Sequence, residues 1–412
     1  MAGSRRIVAC LLLGLFASST IAAPVVADVE WEADGWLTTA LADERLTSGD
    51  EFGCYGVPGY SWYNDPGAVA KECRSYIENN TDASKWGANA LSTYAPDGLT
   101  MAQHNYIASQ DFVVHGDGTG LIESAWHDAD DAPNDVWDWY NLGRRGGSLE
   151  KEIGSLETVQ TAVEEGGLVN LYWIGRVNDA TIRHDRDIAN YLQNDAEAWM
   201  TTWGQAWSYW TSNRCYEHSN SLDENASTFT FSSIVTEQCT NLAPNAWNVP
   251  ATWRLSFENA TVVDVHDAFG QSMTNLTNER QTAEGWRMDG DELLVSVKRG
   301  TIVTVVLQGE NISFDVHNQT KFWNGYDAAV TIAAHDTTDL FLWSKRFDDE
   351  DQMRFTWLVS PRTVEGRLPW LPYAALVAGV VTVVAMMGIL GREGIGPLAG
   401  VMNNKNVHYE EE

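Results

Sequence analysis

Side chains that could carry out acid–base or metal chemistry stand beside two strand-like segments in the first third of the chain. Asp50 and Glu51 come directly before Phe52, and His115 and Asp117 follow the apolar run DFVV. In α/β folds, sites lie at the carboxyl ends of strands. An imidazole with carboxylates could hold a divalent metal that polarises a carbonyl or activates water. The pattern predicts Asp50, His115 and Asp117 as catalytic candidates, with a divalent metal as the candidate cofactor.

An acidic and aromatic stretch, HDADDAPNDVWDWYNL, follows these residues. Its carboxylates Asp128, Asp130 and Asp131 could bind a metal such as calcium, because hard cations take several oxygen ligands. Their spacing is not that of an EF-hand, and a solvated acidic loop is the alternative. The same region offers a surface for contact with a ligand. The side chains of that surface are Trp126, His127, Trp137, Trp139 and Tyr140.

Strand and helix patterns alternate around these candidates. The run GGLVNLYWI is typical of a strand that is buried on both faces of a parallel sheet. A helix follows, then a strand AWMTT, and then a helix that starts at a capping box of Thr202 and Gln205. A single long helix from Asp195 is the alternative for the last two elements. The alternation predicts parallel βα units, arranged as an α/β barrel or an open sheet.

The last of these helices carries a stripe of tryptophans. Trp203, Trp207 and Trp210 fall at positions i, i+4 and i+7, which lie on one face of a helix. Such a stripe can pack in a core or form a platform for a ligand. Core packing is the commoner use, and we expect it here.

The pattern changes after about residue 245. Trp253, Leu255 and Phe257 alternate with polar neighbours, and Asp289-Gly290 is a turn signal between such runs. This alternation predicts a separate β-sandwich domain. The predicted segments are a signal peptide over 1–27, an α/β barrel-like domain over 28–244, a β-sandwich domain over 245–361, a transmembrane helix over 368–390 and a tail over 391–412.

Both ends of the chain carry targeting signals. Arg5 and Arg6 precede an apolar run of signal-peptide length, which predicts export by general secretion or by a twin-arginine route. Leu368–Leu390 is apolar and long enough to span a bilayer. Together they predict a single-pass protein of the cell surface membrane, with its ectodomain outside and its C-terminus inside.

Charge and cysteine usage limit the partners. The 57 acidic and 26 basic residues give a net charge of −31, which disfavours binding to nucleic acid. Four cysteines remain after the signal peptide, which suggests two disulfides in an exported protein. We expect local pairing of Cys54 with Cys73 and of Cys215 with Cys239. Six N-glycosylation sequons are candidates for modification, at Asn79, Asn225, Asn259, Asn275, Asn311 and Asn318.

The order of elements around GGLVNLYWIG and AWMTTWGQAWSYWTSNR resembles the second half of polysaccharide-deacetylase-type barrels, over roughly Asp111 to Leu307. The family's strand-end aspartate pair could correspond only to Asp50-Glu51. Its HxxxH metal motif is absent, and its Leu-x-His would fall on Leu171–Trp173, where Trp replaces His. The resemblance therefore implies a divergent or inactive member.

Two functions follow from these observations. The first is an extracellular surface protein, of receptor or envelope type, that recognises a glycan or another cell-surface ligand without turning it over. The alternative is a polysaccharide deacetylase-like enzyme or glycan hydrolase that uses the catalytic candidates. Because no complete catalytic constellation is visible in the sequence, we expect the first.

Overall fold

The computed structural model describes eleven segments of the chain. The chain divides into two compact units, of which the larger spans Trp31–Arg362. The described segments are residues 31–32, 40–96, 98–116, 140–141, 155–174, 186–223, 227–237, 245–335, 352–360, 362–363 and 371–392.

The helices begin where local capping residues allow them to. Asp65 accepts a hydrogen bond from the Ala68 amide and Pro66 occupies the first turn, as predicted. Thr100 and Gln103 form a complete capping box. The helices are α1 (Ala40–Ser48), α2 (Pro66–Asn80), α3 (Met101–Ala108), α4 (Leu156–Glu164), α5 (Arg186–Asn194), α6 (Trp203–Cys215) and α7 (Leu371–Arg392), with a short 3-10 turn at Trp323–Gly325.

A parallel sheet forms the centre of the larger unit. Its strands are β2 (Glu51–Cys54), β3 (Ser92–Thr93), β4 (Val114–His115), β5 (Tyr140–Asn141), β6 (Gly167–Ile174), β7 (Trp199–Thr201), β14 (Ala328–His335) and β15 (Phe355–Val359). They run in the order β5-β4-β3-β2-β15-β14-β6, and β7 pairs with the first half of β14 beside β15. Two short strands, β1 (Trp31–Glu32) and β16 (Arg362–Thr363), lie outside this sheet.

This sheet is curled around the first turn of α6. The Trp203 indole donates to Asn170 Oδ1 on β6 at 2.9 Å, and a Cβ built on Gly116, directly after β4, would lie 1.6 Å from its ring. In a flat sheet β4 and β6 would be about 24 Å apart, at about 4.8 Å per strand step. One side chain reaches both only because the sheet curls.

This sheet corrects the predicted α/β barrel-like domain. The parallel βα units are present, but the sheet is a half-barrel in which β5 and β6 are the two edges of the strand path. The interior that a closed barrel would fill with strand side chains holds the start of α6 instead.

A second sheet is antiparallel and has the strand order β11-β12-β10-β13-β9-β8. Its strands are β8 (Tyr216–Asp223), β9 (Thr228–Val235), β10 (Ala251–His266), β11 (Gly285–Asp289), β12 (Glu292–Val297) and β13 (Ile302–Gln319). We predicted a sandwich of two sheets, but the described strands form one sheet. Its two long strands, β10 and β13, are paired with each other across three register shifts, where β-bulges bend them.

The antiparallel sheet is inserted into the parallel one. Strands β8 and β9 come before residue 245, whereas β14 and β15 return to the parallel sheet after the insertion. A boundary near residue 245 therefore does not separate the two sheets. Each sheet has its own buried apolar cluster, so the insertion carries a core independent of the half-barrel.

The predicted transmembrane helix and the single-pass surface topology are corrected as well. Helix α7 does form at this position. However, among the residues described, none of the helices is both long and apolar enough to cross a bilayer.

Candidate functional site

Asp50 is a buried structural carboxylate. Its Oδ2 accepts from Arg45 Nε at 2.6 Å and from the Trp357 indole at 2.8 Å, and its Oδ1 accepts from the Phe355 amide at 3.0 Å. The Arg45 guanidinium also lies over the rings of Phe355 and Trp357. Asp50 thus joins the end of α1 to the start of β15, and both of its carboxylate oxygens accept structural hydrogen bonds.

Glu51, the next residue, is fully buried at the N-terminus of α6. Its Oε2 accepts from the Thr202 hydroxyl and from the Gly204 amide, both at 2.8 Å. Burial raises the pKa of Glu51 to about 7, although hydrogen bonds from Ser92, Thr202, Gly204 and Thr356 favour the ionised form. Glu51 is therefore a carboxyl group that gains and loses its proton near neutral pH.

The same contacts explain a difference at the start of α6. The helix begins at Trp203, as predicted, but Thr202 makes no side-chain cap because its hydroxyl donates to Glu51. Gln205 also does not close a capping box, since its Oε1 accepts from the Thr282 hydroxyl at 2.8 Å while its Nε2 donates to the Gly49 carbonyl. A carboxylate from β2 thus replaces the local cap and satisfies an amide of the first turn.

His115 forms a buried pair with His104, a residue of α3 that the sequence did not single out. The two Nδ1 atoms are 2.9 Å apart, and His115 Nε2 is 2.9 Å from the Phe112 carbonyl. The carbonyl must accept, so His115 Nε2 carries its proton and His104 Nδ1 donates to His115 Nδ1. Burial lowers the pKa of His104 to about 4, and burial with the nearby His104 lowers that of His115.

This hydrogen bonding bears on the metal prediction. Neutral His115 donates from Nε2, and its one in-plane lone pair, on Nδ1, accepts from His104 and so is not available to a metal ion. Within the described segments, no group of three or more His, Cys, Asp or Glu side chains could hold a metal. Asp117 and the metal candidates Asp128, Asp130 and Asp131 lie outside those segments, so the calcium prediction is not tested.

Asp50 and His115 do not come together. Cys54 is level with Thr93 in the parallel ladder, and Thr93 is level with His115. Asp50 precedes Cys54 by four residues, which places it about 13 Å further back along the strand direction. It also lies two strands across the sheet. The two side chains are at opposite ends of the half-barrel and cannot act on one substrate atom.

The structure describes some of the other predicted site residues. Tyr140 begins β5, whereas Trp126, His127, Trp137 and Trp139 lie outside the described residues. The tryptophans of α6 are buried, which confirms that they pack in the core. A disulfide joins Cys54 to Cys73, and Cys239 is not among the described residues. The sequon asparagines that the structure describes are all exposed, namely Asn79, Asn259, Asn275, Asn311 and Asn318.

A cleft of about 420 Å³ lies where α5 meets the loop between β10 and β11. This volume is within the range of small-ligand sites. No sequence motif predicted the cleft, because the residues that line it come from separate parts of the chain. Its lining residues are Asn194, Asp195, Ala196, Glu197, Thr277, Asn278, Arg280, Arg287 and Tyr326.

Two arginines hold the walls of this cleft in place. Arg280 donates to the carbonyls of Leu192 and Ala196, at 2.9 and 3.0 Å, and also to that of Gln193, so it caps the C-terminal end of α5. Arg287 donates to the Asn324 carbonyl at 2.8 Å. Both guanidinium groups thus serve mainly to connect the segments that form the cleft.

Polar side chains and one aromatic ring remain to face a ligand. The Tyr326 hydroxyl donates to the Glu279 carbonyl at 2.9 Å, which fixes the ring, and burial raises its pKa so that it stays neutral. Asp195, Glu197 and Asn278 are exposed around it. The cleft therefore combines an aromatic ring with carboxylates and amides.

The fold and the cleft define an α/β half-barrel protein with an inserted antiparallel sheet. No family model, curated protein or solved structure matches the chain. The resemblance to polysaccharide-deacetylase-type barrels remains a prediction.

Proposed function

We propose that this protein recognises a neutral glycan at the cleft between α5 and the β10–β11 loop, without catalysing a reaction on it. The observation that carries the proposal is the set of groups in the cleft. A fixed aromatic ring, Tyr326, stands beside the carboxylates of Asp195 and Glu197 and the amide of Asn278. The strongest catalytic candidates, Asp50 and His115, are held in separate structural hydrogen bonds.

Sugars suit these groups because they present hydroxyls beside patches of C–H. Ionised carboxylates accept hydrogen bonds from hydroxyls strongly, and an amide can both donate and accept. The flat face of Tyr326 can cover an apolar patch of a sugar ring while its hydroxyl stays hydrogen bonded. A pocket with a few convergent polar groups and an aromatic wall is the usual form of a small-ligand site.

The charge distribution favours a neutral sugar over an acidic one. The exposed carboxylates of Asp195 and Glu197 would repel a uronate or a sulfated sugar, and the net charge of −31 adds to that repulsion. The guanidinium groups of Arg280 and Arg287 donate to backbone carbonyls, which leaves fewer of their N–H groups for an anion.

Binding of the purified full-length chain to a panel of neutral, amino and acidic oligosaccharides, measured by calorimetry at constant salt, tests the proposal. Asp195→Ala and Glu197→Ala should each weaken the binding of a neutral sugar by about tenfold or more, since a hydrogen bond to a charged group contributes about 1.5–3 kcal/mol. Glu310→Ala, an exposed position on β13, is the matched control and should leave the affinity unchanged.

Three results would contradict the proposal. They are no binding to any neutral sugar, equal effects of the control and cleft variants, and preferential binding of acidic sugars. The same panel should be assayed for acetate release and for glycosidic cleavage. Turnover that Asp195→Ala abolishes would make the cleft the active site of a glycan hydrolase or deacetylase, which is the alternative reading of the sequence.

A further inference from the structure

Among the sequons that the structure describes, Asn275-Leu276-Thr277 differs from the others in its local geometry. Asn275 Oδ1 accepts from the Thr277 amide at 2.9 Å and from the Thr277 hydroxyl at 2.6 Å. The Asn275 side chain is exposed. The carboxamide and the hydroxyl of this sequon are therefore already in contact, in a turn that lies on the surface.

The buried residue Leu276 holds this turn in place. Leu276 is buried, with 1 % of its surface exposed, and its amide donates to the Trp286 carbonyl at 2.8 Å. Its own carbonyl accepts from Asn324 Nδ2 at 2.9 Å. The flanking Asn275 and Thr277 are thereby directed outward, and the turn is presented as a rigid feature of the surface.

The sequons on the long antiparallel strands lack this arrangement. Asn259 Nδ2 donates to the Asn311 carbonyl at 3.4 Å, so this amide nitrogen is engaged. The Ser313 hydroxyl, which belongs to the sequon of Asn311, donates to Glu258 at 2.8 Å.

The remaining two described sequons differ as well. The hydroxyl of Thr320, in the sequon of Asn318, is buried and donates to the Phe322 carbonyl at 2.7 Å. Asn79 lies within the last turn of α2, where the backbone is held in helical hydrogen bonds. The carboxamide–hydroxyl contact of Asn275 is therefore not shared by any of the other sequons in the described residues.

We propose that Asn275 is the preferred N-glycosylation acceptor of this protein, with a lipid-phosphate-linked oligosaccharide as the sugar donor. The Thr277 hydroxyl, by donating to Oδ1, withdraws electron density from the carboxamide and makes the Nδ2 protons more acidic. In the transfer, Nδ2 forms a bond to the anomeric carbon and loses one proton to a base of the transferase. The bond between that carbon and the phosphate oxygen breaks, and the lipid phosphate leaves with the electron pair.

Because of the position of Asn275, this modification should affect access to the cleft. Thr277 and Asn278 line the cleft, so a sugar on Asn275 begins at the edge of the cleft, two residues from its wall. We expect the attached oligosaccharide to restrict entry to the cleft. This second step rests on the proposed function, whereas the modification of Asn275 does not depend on it.

The test is glycopeptide mass mapping of the full-length protein, secreted from a host that carries out N-glycosylation. The peptide containing Asn275 should have the highest occupancy among the described sequons. Thr277→Ala should abolish it, and Thr277→Ser, which keeps the hydroxyl, should retain it. An unmodified Asn275 in a secreted protein, or higher occupancy at Asn259 or Asn311, would overturn the proposal.

A separate measurement addresses the cleft. The glycosylated protein and the Asn275→Gln variant should be compared for affinity toward the neutral sugar, with a tenfold or greater gain expected for the variant. Equal affinities would refute the proposal that the oligosaccharide restricts entry to the cleft. They would not contradict the glycosylation of Asn275. If neither protein binds sugar, the proposed function fails and the mass map still decides the modification.

Discussion

The protonation of Glu51 allows a quantitative test of the contact between the half-barrel and α6. Glu51→Gln replaces the carboxyl with a neutral group of the same shape. Its side-chain oxygen can still accept from Thr202 and from the Gly204 amide, as Oε2 of Glu51 does. The variant therefore resembles the protonated form of Glu51 and removes the possibility of ionisation inside the core.

The expected magnitude follows from the pKa shift. Burial raises the pKa of Glu51 from 4.5 to about 7 in the folded protein. Each pKa unit corresponds to about 1.4 kcal/mol, so the wild type should lose about 3 kcal/mol of stability on ionisation. Because the folded pKa is the higher one, the contribution of Glu51 to stability is fully present below pH 4.5, decreases between pH 4.5 and 7, and stays at the lower level above pH 7.

The assay is urea unfolding of the wild type and Glu51→Gln at constant ionic strength between pH 4.5 and 8.5, followed by tryptophan fluorescence. The free energy of unfolding of the variant minus that of the wild type should rise by about 3 kcal/mol across this range. The difference cancels titrations that both proteins share. Glu310→Gln, at an exposed strand position, should change stability by no more than about 0.5 kcal/mol throughout. A difference for Glu51→Gln that is constant or falls with pH would refute the argument.

Two further predictions concern the other buried groups. Asp50→Asn should destabilise the protein by about 3–5 kcal/mol in urea unfolding, because it breaks the buried ion pair with Arg45. Glu78→Gln, in a more exposed ion pair on α2, should cost less than about 1 kcal/mol. Equal losses would contradict this view of Asp50. Burial lowers the pKa of His104 from 6.5 to about 4, so the contribution of this imidazole to stability is complete above pH 6.5 and is lost as the pH falls toward 4. His104→Phe, although less stable at neutral pH, lacks this loss, so the free energy of unfolding of the wild type minus that of the variant should decrease as the pH falls from 6.5 to 4. A fall of the same size in the variant would mean that this imidazole is not the group that titrates.

The local features were readable from the sequence because they depend on neighbouring residues. The Asp65-Pro66 helix start and the capping box of Thr100 and Gln103 each use hydrogen bonds that span about three positions. The apolar run of β6 predicted a buried strand, and the structure places it in the parallel sheet. A disulfide between Cys54 and Cys73 spans only 19 positions, so local pairing could anticipate it.

Tertiary structure alone decided the features that join distant parts of the chain. Thr202 gives its hydroxyl to Glu51, 151 residues away, and so leaves the predicted capping box unformed. The inserted sheet separates β7 from β14 by more than a hundred residues although the two strands are paired, and no periodicity reveals such a pairing. The cleft likewise forms where Arg280, in the loop between β10 and β11, binds the end of α5. Side-chain type and spacing determine local hydrogen bonds, whereas register and sheet curl determine which distant groups meet.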